Sequence, residues 1–223
     1  MVQRVIITSV FAILFSASAF GQKALPTPAV REAAKANARP VPNPEVVKPE
    51  PFDKADVATM AKQCVTLDTE AGVIEMEMFP ESATESVRNF LNLVATGALN
   101  TTTFSRVVPG FVIQGGDLYS REGKVTNAIG LRARKNIPDD PNKILHERGI
   151  VSMARGDEPN SASTHFFILV DSASSLDGKF AAFGRVTKGM EIVDAINKME
   201  VDGDKPVKVI RIKKASVAIC VAR

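Results

Sequence analysis

The 223-residue chain has no tryptophan, one tyrosine, two cysteines and two histidines. Two Cys and two His leave little material for a zinc site, since structural zinc usually takes four Cys or His ligands, and His146 and His165 are not arranged as a metal pair. The sequence also lacks a Walker-type phosphate loop, and the Ser161–Ser163 and Ser172–Ser175 runs lack a nucleophile-elbow context. Neither sign of charge dominates: 28 basic and 25 acidic side chains leave a net charge of +3, without the concentrated basic face of a nucleic-acid binder. No apolar run reaches the roughly 20 residues needed to span a bilayer. What is present is a globular composition, 45% hydrophobic and 24% charged, with twelve phenylalanines. Any aromatic pocket is therefore built from Phe.

The N-terminal third divides into two segments. Arg4 gives a positive start, Val5 to Phe15 is apolar except for Thr8 and Ser9, and Ala17, Ser18, Ala19 and Gly21 follow. This is the layout of a secretory signal peptide over residues 1–21, cleaved after Ala19 or Gly21. An uncleaved anchor is the alternative. Between Pro26 and Pro51 lie seven of the thirteen prolines. That density removes backbone donors and favours extended chain, so 22–62 reads as a disordered Pro-rich linker. The folded domain is expected over 63–223.

Within it, Val65–Glu70 and Val73–Phe79 are strand-like runs joined at Ala71-Gly72, and Pro80 stops the second. Ser82 with Glu85 forms a capping-box pattern. Val87, Phe90, Leu91 and Val94 then follow at helical spacing, up to Gly97 as the C-terminal stop. Further strands are predicted at Thr103–Val108, Phe111–Gln114, Gly149–Ala154, His165–Val170, Phe180–Val186 and Val207–Ile219, with a helix at Met190–Met199. Asp117–Arg148 has little apolar periodicity, and a long irregular segment of this kind is usually functional or mobile. The pattern predicts a mainly β fold: a closed eight-stranded antiparallel barrel capped by two α-helices. A two-sheet sandwich is the alternative on pattern alone.

Three ordered blocks carry more specific information. Phe104 to Asp117 reads Phe-Ser-Arg-Val-Val-Pro-Gly-Phe-Val-Ile-Gln-Gly-Gly-Asp. Val151 to Phe167 reads Val-Ser-Met-Ala-Arg-Gly-Asp-Glu-Pro-Asn-Ser-Ala-Ser-Thr-His-Phe-Phe. Leu176-Asp177-Gly178-Lys179 is followed by Phe183-Gly184-Arg185-Val186. Together these blocks resemble the signatures of the cyclophilin family of peptidyl-prolyl isomerases, and the resemblance spans roughly Val65 to Val217.

The resemblance implies rotation about Xaa-Pro bonds without a cofactor or metal. That rotation is slow because amide resonance imposes a barrier of about 18–20 kcal/mol. A donor that hydrogen-bonds the proline nitrogen only once conjugation is lost stabilises the transition state selectively. Arg106 matches the family's catalytic arginine. Phe111, Val112, Phe167 and Leu176 match the lining of the proline pocket, with Val112 replacing a common methionine. Gln114 matches the glutamine that orients arginine and substrate, and Ala154 and Arg155 match positions that pair with the peptide backbone. His165 stands in place of a glutamine, Phe180 in place of a histidine, and Ser175 in place of a tryptophan that helps to bind cyclosporin. Weak cyclosporin binding with isomerase activity retained is the expectation.

In the family fold the terminal strands are neighbours, and an exported protein meets oxidising conditions. The resemblance thus implies a Cys64–Cys220 disulfide, two separate thiols being the alternative. The expected function is folding assistance to exported proteins, in the periplasm or outside the cell, by a monomer. Pro-containing polypeptides are its expected partners, with no nucleic acid and no stable membrane insertion after signal cleavage. A binding module for Pro-containing segments on the same fold is the alternative.

Overall fold

The computed structural model describes residues 49–220. The expected signal peptide and the 22–48 part of the expected linker lie outside the described residues. The remaining linker residues, 49–62, pack on the domain. They include a short helix α1 (Val57–Met60) whose Met60 is fully buried. Arg88 Nη1 donates to the carbonyls of Phe52 (3.0 Å) and Ala55 (2.6 Å), and Phe52 N donates to Asn92 Oδ1 (2.7 Å). Glu50 pairs with Arg132 at 2.6 Å, both side chains being almost buried. Proline content alone did not distinguish this packed strap from extended linker.

Among the described residues ten strands follow: β1 (Gln63–Thr69), β2 (Gly72–Met78), β3 (Arg106–Val108), β4 (Val112–Gly115), β5 (Ile150–Met153), β6 (Phe166–Leu169), β7 (Ala182–Lys188), β8 (Val201–Asp202), β9 (Lys205–Pro206) and β10 (Ile212–Ile219). Eight of them form one antiparallel sheet in the order β10-β1-β2-β7-β5-β6-β4-β3, while β8 and β9 form a separate hairpin. Period-2 burial sets the faces. Val65 and Leu67 of β1 and Ile74 and Met76 of β2 point into the core.

The sheet curls into an open half-barrel, which corrects the expected closed barrel. A single bridge, Thr103–Arg211, links the segment before β3 to the start of β10. Closure stops there because β3 is only three residues long. Its outer edge is also taken by the β8–β9 hairpin, Val107 N donating to Asp204 O at 2.8 Å. The long strand expected from Val207 accordingly pairs with β1 only from Ile212 onward.

Among the described residues are α2 (Thr84–Ala95), α3 (Asn127–Ala133) and α4 (Met190–Asn197) besides α1, in place of the two helices expected. Helix α2 buries Val87, Phe90, Leu91 and Val94 as its spacing predicts. Phe90 meets the rings of Phe166 and Phe183 at centroid distances of 5.1 and 4.9 Å. Its C-terminus ends at Gly97 in the left-handed region (φ 71°), with Gly97 N and Ala98 N donating to Val94 O and Leu93 O.

The N-terminus of α2 departs from expectation. Ser82 does not cap it; Asp140 does, accepting from Glu85 N, Ser86 N and the Ser86 hydroxyl. The supposedly irregular 117–148 segment thus delivers a carboxylate to a helix start 55 residues earlier, where the macrodipole favours it. The same segment contains α3, started by Thr126 accepting from Ile129 N.

Cys64 and Cys220 form a disulfide with a Cα–Cα distance of 5.0 Å and a sequence separation of 156. It joins β1 to the residue that follows β10, the strand paired with β1 on that side. Chain-entropy arguments give a stabilisation of about 2–5 kcal/mol for closing so long a loop. Replacing both cysteines by serine should lower the urea midpoint accordingly, and an unchanged midpoint would contradict this.

Candidate active site

The alternation of β4 and β6 divides their apolar residues between two clusters. Ile113, Phe166 and Ile168 face the main core. Val112, Phe167 and Leu169 face a second, smaller cluster with Ile150 and Ala182, against which Phe111, Leu176 and Phe180 pack. Val112 and Phe167 of that cluster, with Phe111, Leu176 and Phe180, form the floor of a surface cleft of about 180 Å³.

Register then aligns the polar groups with the floor. Arg106 pairs with Gln114, Gln114 with Phe167, Phe167 with Ser152, and Ser152 with Ala182. Cross-strand partners share a face, so one transverse row runs from an arginine through a glutamine to a phenylalanine. Arg106 Nη1 lies 3.4 Å from Gln114 Oε1. At the far rim the Arg155 guanidinium sits over the Phe180 ring, 5.2 Å from its centroid, a cation–π geometry. Phe167 meets Phe180 edge-on at 6.1 Å.

The turn presenting Phe111 is held from beneath. Asn197, buried on α4, donates to Val108 O (2.9 Å) and Val112 O (3.0 Å) and accepts from Gly110 N (2.8 Å). All three main-chain groups of this tight turn are thereby satisfied.

Arg106, Phe111, Val112, Gln114, Ala154, Arg155, Phe167, Leu176 and Phe180 line the cleft together. His165 does not. It precedes β6, its carbonyl accepting from Ala154 N (3.0 Å) and its ring partly buried. Ser175 is exposed in the turn carrying Leu176.

An apolar concavity rimmed by a guanidinium and an amide can take a small ring and place donors over its edge. It supplies no general base or nucleophile. Among the described residues no cluster of His, Cys, Asp or Glu could hold a metal ion.

Comparison with known proteins agrees with this geometry. The family model for cyclophilin type peptidyl-prolyl cis-trans isomerase/CLD matches residues 64–217. The chain belongs to this family. It is 40% identical over 161 residues to peptidyl-prolyl cis-trans isomerase A of Dickeya dadantii, covering 70% of this chain and 81% of that one. It is 37% identical over 159 residues to peptidyl-prolyl cis-trans isomerase cypE of Dictyostelium discoideum, covering 70% and 99%. The crystal structure of a cyclophilin type isomerase from Cryptosporidium parvum superposes with a TM-score of 0.62 at 28% identity, over 71% of this chain and 99% of that one. A second structure of the Cryptosporidium protein, in the presence of the dipeptide Ala-Pro, gives 0.61 at 31% identity over the same shares. The chain is thus a cyclophilin-type peptidyl-prolyl cis-trans isomerase.

Some residues that shape this cyclophilin site escaped the sequence reading. Asn197 was hidden in an amphipathic helix, and Asp204 in the Asp-Gly-Asp stretch before the last strand, where the Asp-Gly pair is itself a hairpin signal. His146 is fully buried between Asp177 Oδ1 (3.2 Å from Nδ1) and Ser152 Oγ (3.1 Å from Nε2), tying the strand behind Phe167 to the turn carrying Leu176.

Burial pushes the His146 imidazole below its ordinary value of 6.5, against the opposing hydrogen bond and charge of Asp177. Burial lowers His165 likewise, against the charge of Asp117. Both folded-state values lie below the unfolded one. The linked stability is therefore present above about pH 6.5 and lost as pH falls through the folded values. The urea midpoint should be lower at pH 5.5 than at pH 7.5, and His165→Gln should remove part of the difference. A midpoint flat across that window would contradict the assignment.

Proposed function

We propose that Arg106 is the catalytic side chain, donating to the proline nitrogen as the amide twists and loses conjugation. Phe111, Val112, Phe167, Leu176 and Phe180 hold the proline ring, Gln114 orients Arg106 and the substrate carbonyl, and Ala154 and Arg155 pair with the peptide backbone. The single observation that carries this reading is the transverse row Arg106–Gln114–Phe167, which sets the guanidinium and amide over an apolar floor. The donor set favours the pyramidal nitrogen over either planar ground state, as selective transition-state binding requires. Substrates are Pro-containing polypeptides. Ser175, exposed where an aromatic wall would hold cyclosporin, gives weak cyclosporin binding with isomerisation retained; a submicromolar dissociation constant would contradict it.

The protein acts as an exported monomer that assists folding of other exported proteins, in the periplasm or outside the cell. The apolar run at Val5–Phe15 supports this, as does the disulfide that ties the ends of the domain. N-terminal sequencing of protein recovered from envelope or medium should find Phe20 or Gln22 as first residue. Recovery only from the cytoplasm, with Met1 retained, would contradict export.

A further inference from the structure

The β8–β9 hairpin makes no ladder with the main sheet. It turns at Gly203, in the left-handed region at φ 65°, so that the next residue, Asp204, lies against β3. Asp204 meets β3 twice. Its carbonyl accepts from Val107 N at 2.8 Å, and its Oδ2 accepts from Arg106 Nε at 2.7 Å. Both side chains are about half exposed, at 42% and 52%. Left alone, a half-exposed arginine would spread over many rotamers. Gln114 makes only one long contact with it, at 3.4 Å.

We propose that Asp204 is a positioning residue for Arg106: its carboxylate holds the guanidinium by Nε and fixes its plane, leaving Nη1 and Nη2 for the substrate amide. A carboxylate at Nε is the arrangement that uses the donor nearest the stem and spares the outer fork. Nη1 keeps its contact with Gln114, and Nη2 has no protein partner among the described residues. The hydrogen bond from Arg106, with the attraction of Arg106 and Lys205, holds the Asp204 carboxyl below its usual range, so the clamp is ionised at neutral pH. The hairpin's main-chain bond to Val107 is independent of the side chain, so Asp204 variants can lose the clamp and keep the hairpin docked.

The proposal rests on Arg106 being the catalytic donor, and the test separates the two. In the full chain at pH 7, Asp204→Ala should lower kcat/KM for an Xaa-Pro peptide about tenfold, the worth of one charge-assisted hydrogen bond. The loss should fall on kcat, with KM changed less than about twofold, because the apolar floor is untouched. Asp204→Asn keeps an oxygen for Nε–H and should lose only about threefold. The Nε–Hε NMR signal of Arg106 should move in both variants, and in an Arg106→Ala background Asp204→Ala should cost nothing further. Full activity in both Asp204 variants, with Arg106→Ala inactive, overturns the clamp alone. An equal loss from Asp204→Ala with and without Arg106 also overturns it. Full activity in Arg106→Ala overturns both readings.

Discussion

Gly116→Ala should be among the most damaging single-methyl additions in the domain, lowering stability by about 3 kcal/mol or more. A Cβ built there lies 2.1 Å from Thr164 O and 2.9 Å from His165 Cα, and Gly116 has φ +92°. These are main-chain atoms of a segment that cannot withdraw cheaply. Thr164 Oγ1 donates to Gly116 O at 2.7 Å, Ala154 N donates to His165 O at 3.0 Å, and the next residues pair as Gly115–Phe166 in the β4–β6 ladder. Relief of the clash would therefore displace Gln114 and Phe167, both in the cleft. Gly110→Ala is the internal comparison. It also has positive φ, +72°, yet a Cβ there meets nothing within 4 Å. It should cost only the backbone term, about 1–2 kcal/mol. Urea denaturation of the two variants measures the difference, and equal midpoints would contradict a steric origin.

Arg106→Ala should lower kcat/KM by about 10²–10³, the usual cost of removing one transition-state donor. KM should stay within a few-fold of the native value, since the rest of the cleft lining is untouched. The fold should be unaffected, because the side chain is 42% exposed and Asp204 is left as a solvated surface carboxylate. Arg106→Lys keeps charge but presents a point donor in place of a planar fork, so it should recover only part of the loss. A substitution that raised KM with kcat unchanged would assign Arg106 to ground-state binding, contrary to the mechanism.

How far the sequence led depended on how local each cause was. Period-2 and period-3.6 patterns located β1, β2 and the buried stripe of α2, since those signals lie within a few residues. Arg106, Phe111 and Gln114 were legible as site residues through the family resemblance of the Phe104–Asp117 block, and the β3–β4 hairpin holds them near one another. Phe-Phe-Ile-Leu in β6 was legible as a strand, but not as one dividing its residues between two apolar clusters. Asp140 was unreadable as a cap because its helix starts 55 residues earlier, and the local Ser82–Glu85 pattern offered a convincing substitute. Asp204 was unreadable for the same reason, its partner lying 98 residues away in sequence. Closure of the sheet was over-predicted because strand count says nothing of a hairpin occupying the outer edge of β3. Residues 49–62 show the opposite error: proline density resembles linker whether or not the chain finds partners such as Arg88, Asn92 and Arg132.

The measurement that tests the central claim most directly is two-dimensional exchange NMR on a short Xaa-Pro peptide, with catalytic amounts of the full chain or of its Arg106→Ala form. Strong cis–trans exchange peaks with the native chain should fall toward the uncatalysed level in the variant, while peptide-induced shifts at Phe111 and Phe167 persist. Undiminished exchange in the variant would contradict the account, since the rotation would then be driven by something other than the arginine above the Phe111–Phe167 floor.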